Sequence, residues 1–147
     1  MKALTPAQRV RADAVAEPAT ATWSNCLRLG NEIALSGMTA APAIRDGAVL
    51  DAHAQARVVL GKVQALVEAA GGHLGNLYKL VIYVTDIADK DAVARARREV
   101  FRAPYPCSTL VEVRALVMPE LKVEIDAFAR LDVDLYADAD VSPDIGQ

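Results

Sequence analysis

A chain of 147 residues that is 53% hydrophobic, 24% charged and 5% aromatic carries enough apolar surface for one core and too much for a disordered segment. Its net charge is −3, and its one basic cluster, Arg95, Arg97, Arg98 and Arg102, sits among acidic neighbours without interleaved aromatics; this excludes nucleic-acid binding as a main role, since that requires neutralising several phosphates. No apolar run approaches the roughly 20 residues of a membrane span, and the N-terminus lacks the apolar centre of a secretory signal, so the expected location is the cytoplasm, with no membrane partner.

In chain order, Thr5 to Val15 predicts a short helix, with Thr5 as cap and Pro6 in the first turn; residues 1–22 then form an N-terminal arm. Ser24 to Leu29 and Asn31 to Ser36 are short apolar runs around Gly30-Asn31, a hairpin signal, and Gly37 ends the second strand. Ala40 to Leu50, with Pro42 and Arg45-Asp46-Gly47, reads as a loop. Asp51 caps a helix whose apolar face is Val59, Val63, Leu66, Val67 and Ala70, stopped by Gly71-Gly72. Gly61 inside it implies close packing against a neighbour. Leu77 to Thr85 is a strand rich in β-branched and aromatic residues. Asp89 to Arg102 predicts a second helix burying Val93, Ala96, Val100 and Phe101 and ended by Pro104 and Pro106. On it, Arg97 falls within the arc of the apolar residues.

Two extended segments follow. In Leu121 to Arg130, Leu121, Val123, Ile125, Ala127 and Ala129 alternate with Lys122, Glu124, Asp126, Phe128 and Arg130, the period of a strand with one apolar face. In Cys107 to Arg114, the expected apolar side is Cys107, Thr109, Val111 and Val113, with Ser108, Leu110, Glu112 and Arg114 opposite. A turn at Met118-Pro119-Glu120 joins the segments, which are expected to pair. Their polar side must meet water, a site or another subunit. Residues 131–147 read as an acidic surface tail. Cys26 and Cys107 are expected to be reduced and buried, and with only His53 and His73 beside them no metal site is expected. The order, strand, strand, helix, strand, helix, strand, strand, predicts an α+β sandwich: two helices on one face of a sheet.

Leu29-Gly30-Asn31, Leu35-Ser36-Gly37, Ala54-Gln55-Ala56-Arg57, Val67-Glu68-Ala69-Ala70-Gly71, Val81 to Asp86, Val111-Glu112-Val113 and Lys122 to Ala127 together resemble the YjgF/Rid family of reactive intermediate deaminases over about residues 23–130. The resemblance implies a chorismate mutase-like fold and a homotrimer with a small-molecule site in each cleft between subunits, where Glu112, Arg114, Lys122, Glu124 and Asp126 pair across the junction. It also implies hydrolysis of imines or enamines to a keto acid and ammonia without metal or organic cofactor. Glu124 matches the glutamate that helps water attack the imine carbon. The arginine that holds the substrate carboxylate is replaced by Ser108, the usual glutamine after Ser-Gly by Met38, and the ring near the first strand by Trp23. The residues expected to line the site are therefore Glu124, as the catalytic group, with Ser108, Trp23, Gly37, Met38 and Leu110, and Arg97 as the candidate substitute cation. Two readings stay open: a cofactor-free hydrolase, and a non-catalytic trimeric binder of small ligands.

Overall fold

The alternation at the end of the chain becomes the middle of the sheet. In the computed structural model, which describes residues 2–44 and 49–137, strand β6 (Val123–Arg130) buries Val123, Ile125, Ala127 and Ala129 completely and leaves Glu124, Asp126, Phe128 and Arg130 half-buried on its other side. It lies between β3 (Glu32–Leu35) and β4 (Leu77–Val84), antiparallel to both. Outside β3 come β2 (Cys26–Leu29) and β1 (Gln8–Val10); outside β4 comes β5 (Cys107–Glu112), giving the six-strand order β1-β2-β3-β6-β4-β5. The β2-β3 hairpin turns at Gly30, whose φ of +65° is the conformation glycine tolerates.

Besides the short α1 (Ala41–Ile44), two helices cover one face: α2 (Ala52–Ala69) and α3 (Lys90–Val100). Helix α2 starts where Asp51 Oδ1 accepts the Ala54 N–H at 2.8 Å, and it stops before Gly71 at φ +96°. Its Val59, Val63, Leu66 and Val67 are fully buried with Leu80, Ile82 and Ile125 of the sheet, each worth about 1.5–3 kcal/mol of transfer free energy. Helix α3 adds Val93 and Ala96.

Several expectations are corrected. The two last strands do not pair: β5 runs parallel to β4, Lys79 opposite Cys107 through Val84 opposite Glu112. The reason is the α3 crossover, since a strand delivered by a helix returns parallel to the strand before it. The far side of β4 is left for β6. Residues 113–122 carry the chain across the end of β4, held by Val113 N–H to Val84 O at 2.8 Å and Thr85 N–H to Lys122 O at 3.1 Å.

The faces of β5 are also the reverse of those expected. Ser108 and Leu110 sit beside Leu80 and Ile82 on the helix side, and Cys107, Thr109 and Val111 look outward, so Cys107 is exposed rather than core, while Cys26 is buried. Glu112 is turned to the Ile87 N–H at 3.0 Å instead of a polar sheet face. Where a helix was expected near the N-terminus, β1 pairs with β2 and sends Val10 into the core, and Val15, bridged to Ala12 just beyond it, is buried there too. Gly61 meets nothing within 4 Å of where a Cβ would lie, so close packing does not explain it. The turn signal at residues 45–47 lies outside the described residues, as does 138–147. Of the expected tail, residues 131–137 are bonded to the body through Leu131 N–H to Asn31 O and Leu135 N–H to Gly75 O, both 2.8 Å.

Two small features place the site. A second apolar cluster packs Leu116, Met118 and Leu121 of the crossing segment against Ala40 and Ile44. Beside it the fully buried Gln55 donates to Leu50 O and Glu120 O, each at 3.0 Å, and accepts from Lys122 N–H at 2.8 Å.

Candidate functional site

The chemistry-bearing residues fall into two groups on opposite sides of the sheet. The first is on the face without helices. Beyond β3 the chain continues through Gly37 to Met38, whose N–H and C=O exchange bonds of 2.9 and 3.1 Å with Ile125 of β6. Met38 turns its side chain into the core, so its contribution here is main chain. This bridge presses Gly37 onto Glu124: a Cβ on Gly37 would lie 2.1 Å from Glu124 Oε1 and 3.0 Å from Asp126 Oδ1. Only a residue without a side chain lets the carboxylate stand there.

Glu124 and Asp126 are two apart on one strand and so share that face. Asp126 Oδ2 accepts the Tyr83 hydroxyl at 2.9 Å, a bond that raises the tyrosine's pKa. Glu124 is different. Burial first, and the neighbouring Asp126 charge second, push its carboxyl above the ordinary glutamate range. Among the described residues no cation lies within ion-pair distance of it, although Arg130 on the same strand is paired with Glu32 at 3.0 Å and Asp132 at 2.9 Å. The pairing of Glu124 with Lys122 or Arg114 was expected between subunits, which a single chain does not test. The half-exposed indole of Trp23 donates to Asn25 Oδ1 at 3.1 Å, and Asn25 O accepts the N–H of Ser36, the residue before Gly37, at 2.9 Å.

The second group lies on the helix side, at the outer edge. Arg97 reaches from α3 to the first turn of β5, where Nη1 donates to Ser108 Oγ at 2.6 Å. Arg97 is half-buried, and burial together with Arg98 lowers its proton affinity, although a guanidinium stays charged. Glu99 does not serve it, being turned to α2, where it meets His53 Nε2 at 2.8 Å and Arg57 at 3.5 Å. Behind the Arg97–Ser108 contact is a cleft of about 330 Å³ lined by Leu80, Ala94, Arg97, Arg98, Phe101, Tyr105 and Pro106. Leu110 is half-buried against the core further along β5.

One chain thus brings Glu124 together with Gly37, and Arg97 with Ser108, but it does not bring the two pairs together. The Tyr83–Asp126 bond was missed by sequence reasoning; the Glu124/Asp126 spacing of two was its available signal. The cleft was missed as well, though Tyr105 and Pro106 directly after a helix and before an edge strand hint at an aromatic wall.

The sequence model of the family described as "Endoribonuclease L-PSP" matches residues 14–131. The 2-iminobutanoate/2-iminopropanoate deaminase of Escherichia coli K12 is 37% identical over 105 residues, 69% of this chain and 80% of that one. Among solved structures, PA3499 of Pseudomonas aeruginosa, a protein of unknown function, superposes with a TM-score of 0.87 at 62% identity, covering 90% of this chain and 97% of that one. The E. coli TdcF structure with bound serine superposes with a TM-score of 0.73 at 28% identity, covering 84% and 98%. The arrangement of two helices on a mixed sheet is the chorismate mutase-like fold of these relatives. On the match of most of its length and on these relatives, the chain belongs to the YjgF/Rid family.

Proposed function

We propose that the protein is a cofactor-free hydrolase of small imines or enamines, working as a homotrimer with its site where two copies meet. The observation that carries this is Glu124, a carboxylate held against Gly37, with no cation of its own chain within ion-pair distance among the described residues and with its pKa raised by burial. Such a group can take a proton from water and return it at near-neutral pH. The family membership and the deaminase name of the E. coli relative support the reaction class; the serine bound to TdcF supports a small ligand bearing a carboxylate.

The step balances without further reagents. Water adds to the imine carbon and gives a proton to Glu124, while the C=N π pair moves to nitrogen, which takes that proton from Glu124. The carbinolamine hydroxyl then passes its proton through Glu124 to the amino group as the C=O bond forms and the C–N bond breaks, releasing ammonia and leaving a 2-keto acid. Arg97 takes the anchoring part that the family's strand arginine plays: its guanidinium is already at Ser108, where that arginine would begin. Because Arg97 and Glu124 face opposite sides of one chain's sheet, the site is built from Arg97 and Ser108 of one copy and Glu124, Gly37 and Trp23 of the next.

The test is accelerated keto-acid release from imines generated in situ by an amino-acid oxidase, with wild type and Glu124→Gln side by side and light scattering on both. Expected are a particle about three times 15.7 kDa, turnover by wild type, and at least a 100-fold loss in the variant. A monomer, or a Glu124→Gln trimer as active as wild type, refutes it. Thermal stabilisation by keto acids without any turnover would support the binding-protein alternative instead.

A further inference from the structure

The cleft beside Arg97 bears on which imine is preferred, an inference that rests on the reading above. An arginine with an apolar cavity behind it is matched by a ligand with an anionic head and an apolar body. Leu80, Phe101 and Pro106 are buried, Tyr105 stands half-exposed at the mouth, and Ala94, the smallest of the lining residues, leaves the space open. An apolar cavity of roughly 150 Å³ accepts benzene; this one is about 330 Å³, within the range of small-ligand pockets. A methyl side chain would leave most of it unfilled. Among the described residues, no carboxylate lies within ion-pair distance of Arg97 or Arg98, so the charge at the rim is available to a ligand.

We infer that the cleft between α3 and β5 is the side-chain subsite of the ligand whose carboxylate Arg97 holds, and that the preferred substrates are 2-imino acids, or their enamines, with branched or aromatic apolar side chains. Selectivity follows from burial: each methylene placed in such a pocket adds to binding, and a substrate that leaves it empty forgoes that gain. Ala94 determines the specificity because any larger residue there occupies the ring's place.

The experiment compares imines formed from alanine, leucine and phenylalanine, using wild type, Ala94→Trp and the milder Ala94→Leu, each checked for folding by circular dichroism. In wild type, kcat/KM for the phenylalanine-derived imine should exceed that for the alanine-derived one at least tenfold. Ala94→Trp should remove that preference, lowering the ratio of kcat/KM for the phenylalanine-derived over the alanine-derived imine at least tenfold. If the tryptophan variant does not fold, Ala94→Leu should shift the ratio in the same direction. Equal rates for all three imines in wild type, or loss of both substrates alike in a folded variant, would overturn the subsite while leaving the hydrolase reading intact. Should wild type turn over no imine, the hydrolase reading fails, and the subsite is judged by binding: phenylpyruvate must then raise the unfolding temperature at concentrations where pyruvate does not, and an Ala94→Trp protein must lose that response. Equal responses to the two keto acids sink it.

Discussion

Tyr83 gives its hydroxyl to Asp126 at 2.9 Å, although the residue directly opposite it on β6 is Glu124. Asp126 thereby receives a hydrogen bond, and its charge adds to burial in holding Glu124 above the usual glutamate range. One carboxylate thus has a side-chain donor, and the other stands beside it with its pKa raised.

This has a consequence for stability as well as rate. Because the folded protein binds the Glu124 proton more tightly than the unfolded chain does, ionising it opposes folding, fully so above the raised pKa, and the penalty fades as pH falls toward the unfolded value. Glu124→Gln should therefore unfold at a higher temperature than wild type at pH 7, with the difference shrinking in acid below the ordinary glutamate pKa. Hydrolysis by wild type should rise with pH through the same titration. Melting curves across pH for both proteins would show it, and an equal or lower melting temperature for the variant at pH 7 would contradict it.

Gly37→Ala tests the close approach. The new methyl would stand 2.1 Å from Glu124 Oε1, and the flexible carboxylate is what yields. Stability should fall by about 1 kcal/mol, while activity should drop roughly 100-fold, the effect of moving a reacting group by an ångström. Urea unfolding and imine kinetics on one preparation separate the two.

Arg97 and Ser108 lend themselves to an exchange. Arg97→Ala should raise KM by about 100-fold, the loss of charge-assisted bonds worth roughly 1.5–3 kcal/mol each. Ser108→Arg alone should bring no gain, because a second guanidinium beside Arg97 is repelled by it. Combined with Arg97→Ala, the new arginine should recover part of the lost KM effect. An Arg97→Ala enzyme with unchanged KM would show that the anchor lies elsewhere.

Gln55 carries a structural prediction. Replacing it by leucine leaves Leu50 O, Glu120 O and Lys122 N–H without their partner, at a cost of roughly 2–4 kcal/mol. Chemical denaturation should register that loss, and the approach to β6 should loosen before the helices do.

The elements whose pattern is local and contrasted were legible in the sequence. Leu121 to Arg130 alternates Val, Ile and Ala with charges, and the burial of β6 follows it residue by residue; Asp51 and Gly71 bound α2 as their chemistry requires. Cys107 to Glu112 offers no such contrast: Cys, Thr and Val against Ser, Leu and Glu are nearly balanced, so the face could be read either way. What decides it is Leu80 and Ile82 on the neighbouring strand, a non-local fact. The same holds for Gln8–Val10, where a helix-like Thr-Pro start was overridden by pairing with β2. Of the candidate site, Glu124 and Gly37 were visible as residues, and their contact was not, since it depends on Met38 bridging to Ile125. Arg97 was visible as a cation within an apolar arc; that it ends at Ser108 depends on the parallel placement of β5.

The small cluster of Ala40, Ile44 and Leu121 with Leu116 and Met118 stands apart from the main core. Along the chain, Ala40 follows Gly37 and Met38 by a few residues and Leu121 precedes Val123 and Glu124, so the crossing segment 113–122 and the carboxylate's strand lead into one small cluster. A cluster of this size opens more readily than the helix-covered sheet. Brief local melting there would release the segment and the pressure of Gly37 on Glu124 in the same event, so the proposed catalytic carboxylate stands beside a small, separately packed part of the molecule.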